Sequence, residues 1–302
     1  MDPAALPAAP ELRPDAPWIA PSAPDDPQFL HRAAAIASDG TVYVAAGSLL
    51  HELAPDGRAR DTRRLPWALP HRGSVTVAGP RLVVWGAGRT LVLDREGFVV
   101  RVREDNAVAA LSASGRRLAL GPFTLRSEVR LAVFDVPDAG PLGRPYPPPA
   151  PSGGRPLWVG EDRDLLFAFG GAHLYRHARD VTEAVCAGGA GEFTASSDGA
   201  TLAYATHSQA AFHAVAERRS RGVFKQARWS IALGPGGRIA VRDTRGRVVR
   251  FTPESGERRL LGALPGREGT LCYAPEGDRL VACASDEPRV AVFADDDASS
   301  AR

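Results

Sequence analysis

The chain has 302 residues and a formal net charge of +2, with 44% hydrophobic and 24% charged residues. These proportions are those of a soluble globular protein and exclude an intrinsically disordered chain. The small net charge provides no field that would attract nucleic acid or an acidic membrane surface, and we expect the protein to bind neither.

Lysine occurs once, at Lys225, so nearly all of the 37 basic residues are arginine. Together with abundant Ala, Gly and Pro, this bias indicates a GC-rich bacterial genome rather than a surface adapted to phosphate groups. The start of the chain has neither the basic region nor the apolar run of a signal peptide. No stretch is long enough to span a membrane. We therefore expect a cytoplasmic protein.

The predicted elements begin after a Pro- and Ala-rich arm, residues 1–15, which we expect to be extended. An apolar stretch follows at Pro17-Trp18-Ile19-Ala20, and from Ala33 onward short apolar runs alternate with turn signals. For example, Asp39-Gly40 and Pro55-Asp56-Gly57 bracket the runs TVYVAA and LLHEL. Short apolar runs between Gly, Pro and Asp turns predict antiparallel strands.

These turns repeat at a nearly constant spacing along the chain. The six intervals between Gly40 and Gly277 have a mean length of about 40 residues, which falls within the range of known repeat architectures. Such a spacing indicates one architecture built from equivalent units. The counterparts of Gly40 are Gly79, Gly115, Asp162, Gly199, Gly236 and Gly277.

Longer segments recur with the same period. Arg63-Arg64-Leu65 and Ala68-Leu69-Pro70 return as Arg258-Arg259-Leu260 and Ala263-Leu264-Pro265, both displaced by the length of five repeat units. The run RLAVF at residues 130–134 returns as RVAVF at residues 289–293, displaced by close to four units. Each repeated unit holds three short strands, and in most units a fourth, arginine-rich strand follows.

Four antiparallel strands in a repeated unit of this length are typical of a β-propeller blade. The sequence thus predicts an all-β, seven-bladed β-propeller of four-stranded antiparallel blades. A single domain, residues 16–295, follows the arm and precedes a flexible tail, residues 296–302. The last blade supplies three strands of its own, so we expect the apolar run around Trp18 to close it as a "velcro" strand.

The blade pattern resembles known repeat families. DGTVYVAAGSLLHEL is similar to blades of quinoprotein-like and YVTN-type propellers, and SSDGATLAYAT resembles the turn of WD-repeat and TolB-like propellers. The Trp-Asp and Gly-His pairs of true WD repeats and the quinone-binding residues of quinoprotein dehydrogenases are missing. The resemblance therefore implies the fold and no specific activity.

No catalytic or cofactor motif stands out from the sequence. A phosphate-binding loop, a G-x-S-x-G elbow and an H-E-x-x-H helix are all missing, and the seven histidines are scattered. We expect no cofactor and no metal site. The three cysteines, Cys186, Cys272 and Cys283, are too few for a disulfide framework. Cys272 and Cys283 fall on paired strands of the last blade, where either buried free thiols or a disulfide would fit.

The two faces of the propeller differ in the residues that their loops carry. With the strands of each blade lettered a to d, one face holds the connections from d to the next a and from b to c, here called the d–a/b–c face. Acidic residues collect on the opposite face, either as a real polarity or because Asp suits tight turns. Arg and Trp dominate interface hot spots. The candidate partner-binding residues on the d–a/b–c face are Trp67, His71, Arg72, Arg89, Arg126, Tyr146, His207, Arg245 and Arg267.

From these residues we expect a non-catalytic scaffold that docks a protein partner, acidic at its contact surface, within a bacterial complex. The alternative is an enzyme or small-ligand-binding protein that acts at the mouth of the central channel, with His71, His207 or an arginine near the substrate. Nucleic-acid binding through the arginine face is a third interpretation, against which the net charge and the single lysine argue.

Overall fold

The computed structural model describes most of the chain between Trp18 and Asp295. The described residues are 18–19, 22–26, 32–69, 73–86, 89–96, 99–103, 107–122, 132–136, 157–159, 164–168, 171–176, 181–187, 192–196, 200–205, 209–225, 227–264, 269–284 and 289–295.

The described residues form seven antiparallel sheets that follow one another along the chain. Apart from β1, each sheet uses strands that are consecutive in sequence. The first sheet comprises β2 (Arg32–Ile36), β3 (Val42–Ala46), β4 (Leu49–Leu53) and β5 (Ala59–Arg64), and the second β6 (Ser74–Ala78), β7 (Arg81–Gly86), β8 (Arg89–Asp94) and β9 (Val99–Arg103). The third comprises β10 (Ala107–Leu111), β11 (Arg117–Pro122) and β12 (Ala132–Asp135), and the fourth β13 (Leu157–Val159), β14 (Asp164–Ala168), β15 (Gly171–Arg176) and β16 (Val181–Ala187).

The remaining three sheets complete the series. The fifth comprises β17 (Glu192–Ala195), β18 (Thr201–Ala205), β19 (Gln209–Ala214) and β20 (Arg219–Lys225), and the sixth β21 (Ala227–Leu233), β22 (Ile239–Asp243), β23 (Arg247–Thr252) and β24 (Glu257–Ala263). The seventh joins β25 (Gly269–Tyr273), β26 (Arg279–Ala284) and β27 (Arg289–Ala294) to β1 (Trp18–Ile19), whose partner is β27.

The repeated turn predicted from the sequence has the same hydrogen-bonded conformation in three of the described sheets. Gly40, Gly115 and Gly277 lie between the first two strands of their sheets, with positive φ angles of 80°, 73° and 79°. In each, the glycine N–H donates to the carbonyl three residues earlier at 2.8 to 2.9 Å. A positive φ favours glycine. The spacing of glycines therefore predicts the length of the repeated unit. Two of the predicted counterparts, Asp162 and Gly199, lie outside the described residues.

The hydrophobic core lies between sheets rather than inside one of them. One cluster joins the first sheet to the second, with Tyr43, Leu82 and Leu93 among its members. Similar clusters join the second to the third, the fifth to the sixth and the sixth to the seventh. Another, which includes Val44 and Val290, joins the seventh sheet back to the first. At these five junctions, neighbouring sheets are thus packed face to face.

The recurring run RLAVF/RVAVF occupies the same place in two sheets. Phe134 lies on the third strand of the third sheet and pairs with Leu118, and Phe293 lies on the third strand of the seventh and pairs with Leu280. This equivalence confirms the repeat that the sequence predicts.

Candidate functional site

A short arch follows the outer strand of the first sheet and carries Trp67. At one end the Leu65 N–H donates to the Ser48 carbonyl at 2.7 Å, and at the other the Leu69 N–H donates to the Gly47 carbonyl at 2.8 Å. Both leucines are buried in the cluster between the first and second sheets. Residues 65–69, here called the Trp67 arch, are therefore fixed at both ends on the d–a/b–c face.

Trp67 is half-buried, and its ring packs against the same cluster. The Arg89 guanidinium carbon lies 5.8 Å from the centre of the Trp67 ring, within the range of a cation–π contact. Arg89 begins the third strand of the second sheet and is exposed. The indole Nε1 is buried and has no hydrogen-bond partner among the described residues.

The sixth sheet contains the equivalent arch without the tryptophan. Its Leu264 N–H donates to the Gly246 carbonyl at 2.9 Å, as Leu69 does to Gly47. The sequence WALP of the first arch becomes GALP in the second, so Gly262 stands where Trp67 does. A side chain at Gly262 would collide with the Phe293 ring. The hydrogen bond of the leucine to the preceding turn therefore recurs, although Gly262 lies inside β24 and Trp67 lies beyond the end of β5.

The structure describes three of the nine predicted partner-binding residues. It brings Trp67 and Arg89 together and places Arg245, which is exposed, in the turn between β22 and β23. The Arg245 N–H donates to the Asp243 carboxylate at 2.8 Å. The same carboxylate forms an ion pair with Arg247 at 2.7 Å. The predicted residues outside the described part of the chain are His71, Arg72, Arg126, Tyr146, His207 and Arg267.

Residues 22–26 border the arch on the same face. The Asp26 carboxylate accepts the N–H groups of Ala23 at 3.0 Å and Ser48 at 2.9 Å. Asp25 forms an exposed ion pair with Arg64, the last residue of β5. The turn at Gly47 and Ser48 is therefore held by the Trp67 arch on one side and by the amino-terminal segment on the other.

Several acidic residues of the opposite face are neutralised by arginine. The Arg95 guanidinium lies 2.5 Å from the Asp39 carboxylate and donates to the Tyr43 hydroxyl at 3.0 Å. Burial raises the pKa of Asp39, but hydrogen bonds from Arg95 and Thr41 outweigh this effect and lower the pKa to about 2. Arg221 and Glu254 form a second such pair at 2.6 Å.

These pairs join neighbouring sheets. Asp39 belongs to the first sheet and Arg95 to the second, and Arg221 belongs to the fifth and Glu254 to the sixth. Asp56 and Asp295 are also paired, with Arg58 at 2.8 Å and Arg250 at 3.3 Å. An aspartate or glutamate in a turn of this face therefore does not by itself create a negatively charged surface.

A buried arginine that the sequence reasoning missed lies between the sixth and seventh sheets. Arg242 is 1% exposed, and its Nη2 donates to the Leu264 carbonyl at 2.7 Å. A Cβ at Gly269 would lie 2.9 Å from its Nη1, so glycine leaves the room that Arg242 fills. The signal in the sequence was an arginine inside the strand IAVRD, where a core residue is expected.

Cys272 and Cys283 are free thiols in the cluster between the seventh and first sheets. Cys283 pairs with Thr270 and Cys272 with Val281, so the two cysteines lie diagonally on one face of the seventh sheet. Burial raises the pKa of Cys283 to about 12, against the opposing effect of Arg32 and Arg242. The free-thiol interpretation is confirmed for this pair, and Cys283 lacks the thiolate character of a reactive cysteine.

The two histidines with described side chains do not converge. His51 is fully buried in the first sheet, with Nδ1 3.1 Å from the Thr62 hydroxyl. His213 stacks on Tyr204 in the fifth sheet, and burial lowers its pKa. Across the described side chains, no group of three or more His, Cys, Asp or Glu residues is placed to hold a metal ion. Nor does that part of the chain contain a helix with the length and apolar character to cross a bilayer.

Solved structures that resemble this chain contain WD40 β-propellers. The RRP9 WD40 repeats superpose with a TM-score of 0.73 at 11% identity, covering 95% of this chain and 99% of that chain. A chain of a mitotic checkpoint complex gives 0.71 at 17% identity, covering 95% and 96%. U3-55K gives 0.72 at 12% identity, covering 94% and 100%.

No protein-family model matches the chain, and a search of curated proteins finds no match. The identities to the solved structures are low, so the likeness shows the fold alone. The β-propeller fold predicted from the sequence is thereby confirmed.

Proposed function

We propose that the seven sheets are the blades of one seven-bladed propeller, closed by β1 as the outer strand of the last blade. The hydrophobic cluster between the seventh and first sheets supports this closure, as does the pairing of Trp18 with Val290. The propeller would then be a single domain of residues 16–295, between an arm of residues 1–15 and a tail of residues 296–302.

We propose that this propeller is a non-catalytic scaffold, a subunit of a cytoplasmic bacterial complex, which docks a protein partner on its d–a/b–c face. The observation that carries the proposal is the contact between Trp67 and Arg89 on an arch that is fixed at both ends. Trp67 packs against the core cluster but is only half-buried, so part of its surface is accessible to a partner. A rigid, half-exposed indole beside an exposed guanidinium is typical of an interface hot spot.

The charge of this surface indicates the partner's chemistry. Arg89 and Arg245 are both exposed and carry positive charge on this face. A guanidinium that stacks on an aromatic ring presents its N–H groups in the plane of the fork, where carboxylates bind. The partner is therefore a protein with acidic side chains at its contact surface. One neighbouring structure is that of a mitotic checkpoint complex.

The proposal is tested by affinity capture from the native extract, followed by calorimetry with the purified partner. Trp67→Gly restores the sequence of the sixth arch, and Arg89→Glu reverses one exposed charge. We expect each variant to bind about thirtyfold more weakly, because truncation of a hot-spot residue costs about 2 kcal/mol or more.

Arg58→Glu is the matched control, because Arg58 is 70% exposed in a turn of the opposite face. This variant should bind as the wild type does. Circular dichroism and the melting temperature must be unchanged in Arg89→Glu for its result to count. Equal binding by Arg89→Glu and Arg58→Glu, or the lack of any protein partner, would contradict the proposal.

A further inference from the structure

The turn that holds the Trp67 arch takes a carboxylate from the amino-terminal segment, residues 22–26. This turn, at Gly47 and Ser48, accepts the Leu69 N–H on the Gly47 carbonyl at 2.8 Å. Its own Ser48 N–H donates to the Asp26 carboxylate at 2.9 Å. Asp26 precedes Ser48 by 22 residues, so the contact joins two separate parts of the chain.

The sixth sheet satisfies the equivalent N–H group from within its own turn. There the Leu264 N–H donates to the Gly246 carbonyl at 2.9 Å, so Gly246 is the equivalent of Gly47. The next residue, Arg247, donates its main-chain N–H to the Asp243 carboxylate at 3.0 Å. The carboxylate that Asp243 supplies locally in the sixth sheet is therefore supplied by the amino-terminal segment in the first.

The first sheet takes its carboxylate from outside because its own turn contains no acidic residue. Residues 44–50 read VAAGSLL, whereas residues 243–247 read DTRGR. Ser48 is buried, and a buried main-chain N–H without an acceptor costs free energy. The carboxylate of Asp26 therefore completes the hydrogen bonding of the turn beneath the arch.

The segment that supplies Asp26 is itself a hydrogen-bonded turn. The Asp26 N–H donates to the Ala23 carbonyl at 3.0 Å, and the Ala23 N–H donates to the Asp26 carboxylate at 3.0 Å. Ala23 is buried, and the Ser22 hydroxyl accepts a hydrogen bond from Arg32 at 3.2 Å. One carboxylate oxygen, Oδ2 of Asp26, accepts the N–H groups of both Ala23 and Ser48. A single atom thus ties the amino-terminal turn to the turn of the first sheet.

Both ends of the Trp67 arch depend on the turn that Asp26 holds. The Leu65 N–H donates to the Ser48 carbonyl at 2.7 Å, and the Leu69 N–H donates to the Gly47 carbonyl. When the carboxylate is lost, both acceptors lose their fixed position. The position of the indole therefore depends on whether the amino-terminal segment is seated.

We propose that Asp26 is a positioning residue of the docking surface, and that a protein partner binds tightly only when the amino-terminal segment is seated. Asp26 fixes the turn, the turn fixes both ends of the Trp67 arch, and the arch presents the indole beside Arg89. This role rests on the docking function proposed above. Partner binding and the seating of the segment are then coupled, and each favours the other.

Amide hydrogen exchange of the full-length chain, without any partner, tests the role of Asp26 directly. The Leu65 and Leu69 amides report on the Trp67 arch, and the Leu264 amide reports on the equivalent bond in the sixth sheet. In Asp26→Ala the two arch amides should exchange at least about tenfold faster relative to Leu264, because the turn loses a hydrogen bond to a charged group. A general loss of stability would instead accelerate all three amides to the same extent.

Two further substitutions of Asp26 separate the hydrogen bond from the side chain as a whole. Asp26→Asn keeps an oxygen that accepts N–H groups and should retain the wild-type exchange of the arch amides. Asp26→Ser keeps a polar side chain but is too short to reach the Ser48 N–H. It should accelerate the arch amides as Asp26→Ala does, and it replaces that variant if Asp26→Ala does not fold.

The sixth sheet provides the reciprocal variant. Asp243→Ala should accelerate the exchange of the Leu264 amide and leave the two arch amides as in the wild type. Asp25→Ala is the matched control, because Asp25 is 64% exposed and its ion pair with Arg64 lies at the surface. Exposed ion pairs contribute little, so this variant should show wild-type exchange at all three amides.

The second readout is the affinity of the partner purified by the capture experiment, measured by calorimetry below the melting transition. Asp26→Ala should bind about tenfold more weakly than the wild type, because the partner must then fix the turn itself. Asp26→Asn and Asp25→Ala should bind as the wild type does.

The two readouts separate the role of Asp26 from the docking function. Wild-type exchange of the arch amides in Asp26→Ala, or equal acceleration of all three amides, would overturn the positioning role whether or not a partner is found. Full-strength binding by Asp26→Ala, with the arch amides accelerated, would overturn the coupling to the partner. Failure to capture any partner would contradict the docking function, and the exchange rates would still decide whether Asp26 positions the arch.

Discussion

Arginine has three distinct roles in this molecule, and the surroundings of each side chain decide among them. Arg95 and Arg221 bind carboxylates across the gap between neighbouring sheets. Arg89 instead stacks on an indole at the exposed d–a/b–c face. Arg242 is fully buried, and its guanidinium contacts a main-chain carbonyl. The abundance of arginine therefore says little about function until each residue is placed.

The pair Asp39–Arg95 gives a prediction for acid stability. The pKa of Asp39 in the folded chain is about 2, below its ordinary value of 3.8. Its contribution is therefore complete above about pH 4 and is lost as the pH falls towards 2. Asp39→Asn should lower the free energy of unfolding at pH 7 by about 1 kcal/mol, since the pair is partly exposed.

The measurement is urea unfolding of the wild type, Asp39→Asn, Arg95→Gln and the double variant at pH 7 and at pH 2. A double-mutant cycle isolates the coupling between the two side chains. The coupling should be present at pH 7 and absent at pH 2. A coupling that persists at pH 2 would show that charge is not its source.

At the scale of the element, one turn and one arch recur and give the chain its period. The glycine of the turn between the first two strands has a positive φ in five described sheets, at Gly40, Gly79, Gly115, Gly236 and Gly277. The arch places Leu69 and Leu264 in the same hydrogen bond to a preceding turn. These elements repeat because each sheet must meet its neighbour in the same way.

Two glycines share a φ angle but differ in their surroundings. Alanine variants at the two positions therefore separate the cost of backbone strain from the cost of a steric clash. Gly115 and Gly256 both have a φ of +73°. A Cβ at Gly115 would lie 2.5 Å from the Ala78 carbonyl oxygen, whereas a Cβ at Gly256 would meet no atom within 4 Å. Gly256→Ala should lower the free energy of unfolding by about 1 kcal/mol, the cost of a left-handed residue.

Gly115→Ala should cost clearly more, because the backbone of the neighbouring sheet must also move. Chemical denaturation of the two variants beside the wild type makes the comparison. Equal losses in the free energy of unfolding would mean that the second and third sheets can move apart at this contact at little cost.

The sequence predicts those features that depend on local conformation. The repeat period can be predicted because a positive φ favours glycine at one position of each turn. The strands can be predicted from the apolar runs between turns. The contact of Trp67 with Arg89 was not readable, because the two residues belong to different sheets. The sequence predicts that both residues lie on one face. Their proximity depends on how the two sheets stack, which local sequence does not determine. Arg242 was missed because an arginine was not considered as a core residue.

At the scale of the whole molecule, the two ends of the chain meet in one sheet. β1 pairs with β27, and residues 22–26 then cross to the first sheet, where Asp26 accepts the Ser48 N–H. The cluster that contains Val44 and Val290 lies beside this crossing. The amino-terminal segment therefore fastens the last sheet to the first.

Asp26→Ala tests this fastening. The variant loses two hydrogen bonds to a carboxylate and should lower the free energy of unfolding by about 2 kcal/mol, with a clear fall in the melting temperature. Deletion of residues 1–28 also removes β1 and should lower the melting temperature by many degrees. Asp25→Ala is the matched control, because that side chain is 64% exposed and contacts Arg64 at the surface. An unchanged transition in the deletion variant would show that the amino-terminal segment does not fasten the last sheet to the first.

The pairing of β1 with β27 also sets the order in which the chain can complete its structure. Trp18 is synthesised well before Val290, its partner in the ladder. At the usual rates of translation, the interval between them is on the order of tens of seconds. Of the described strands, β1 is thus synthesised first and is among the last to pair. During synthesis the intermediate sheets can stack in sequence, while β1 has no ladder partner until β27 has been synthesised.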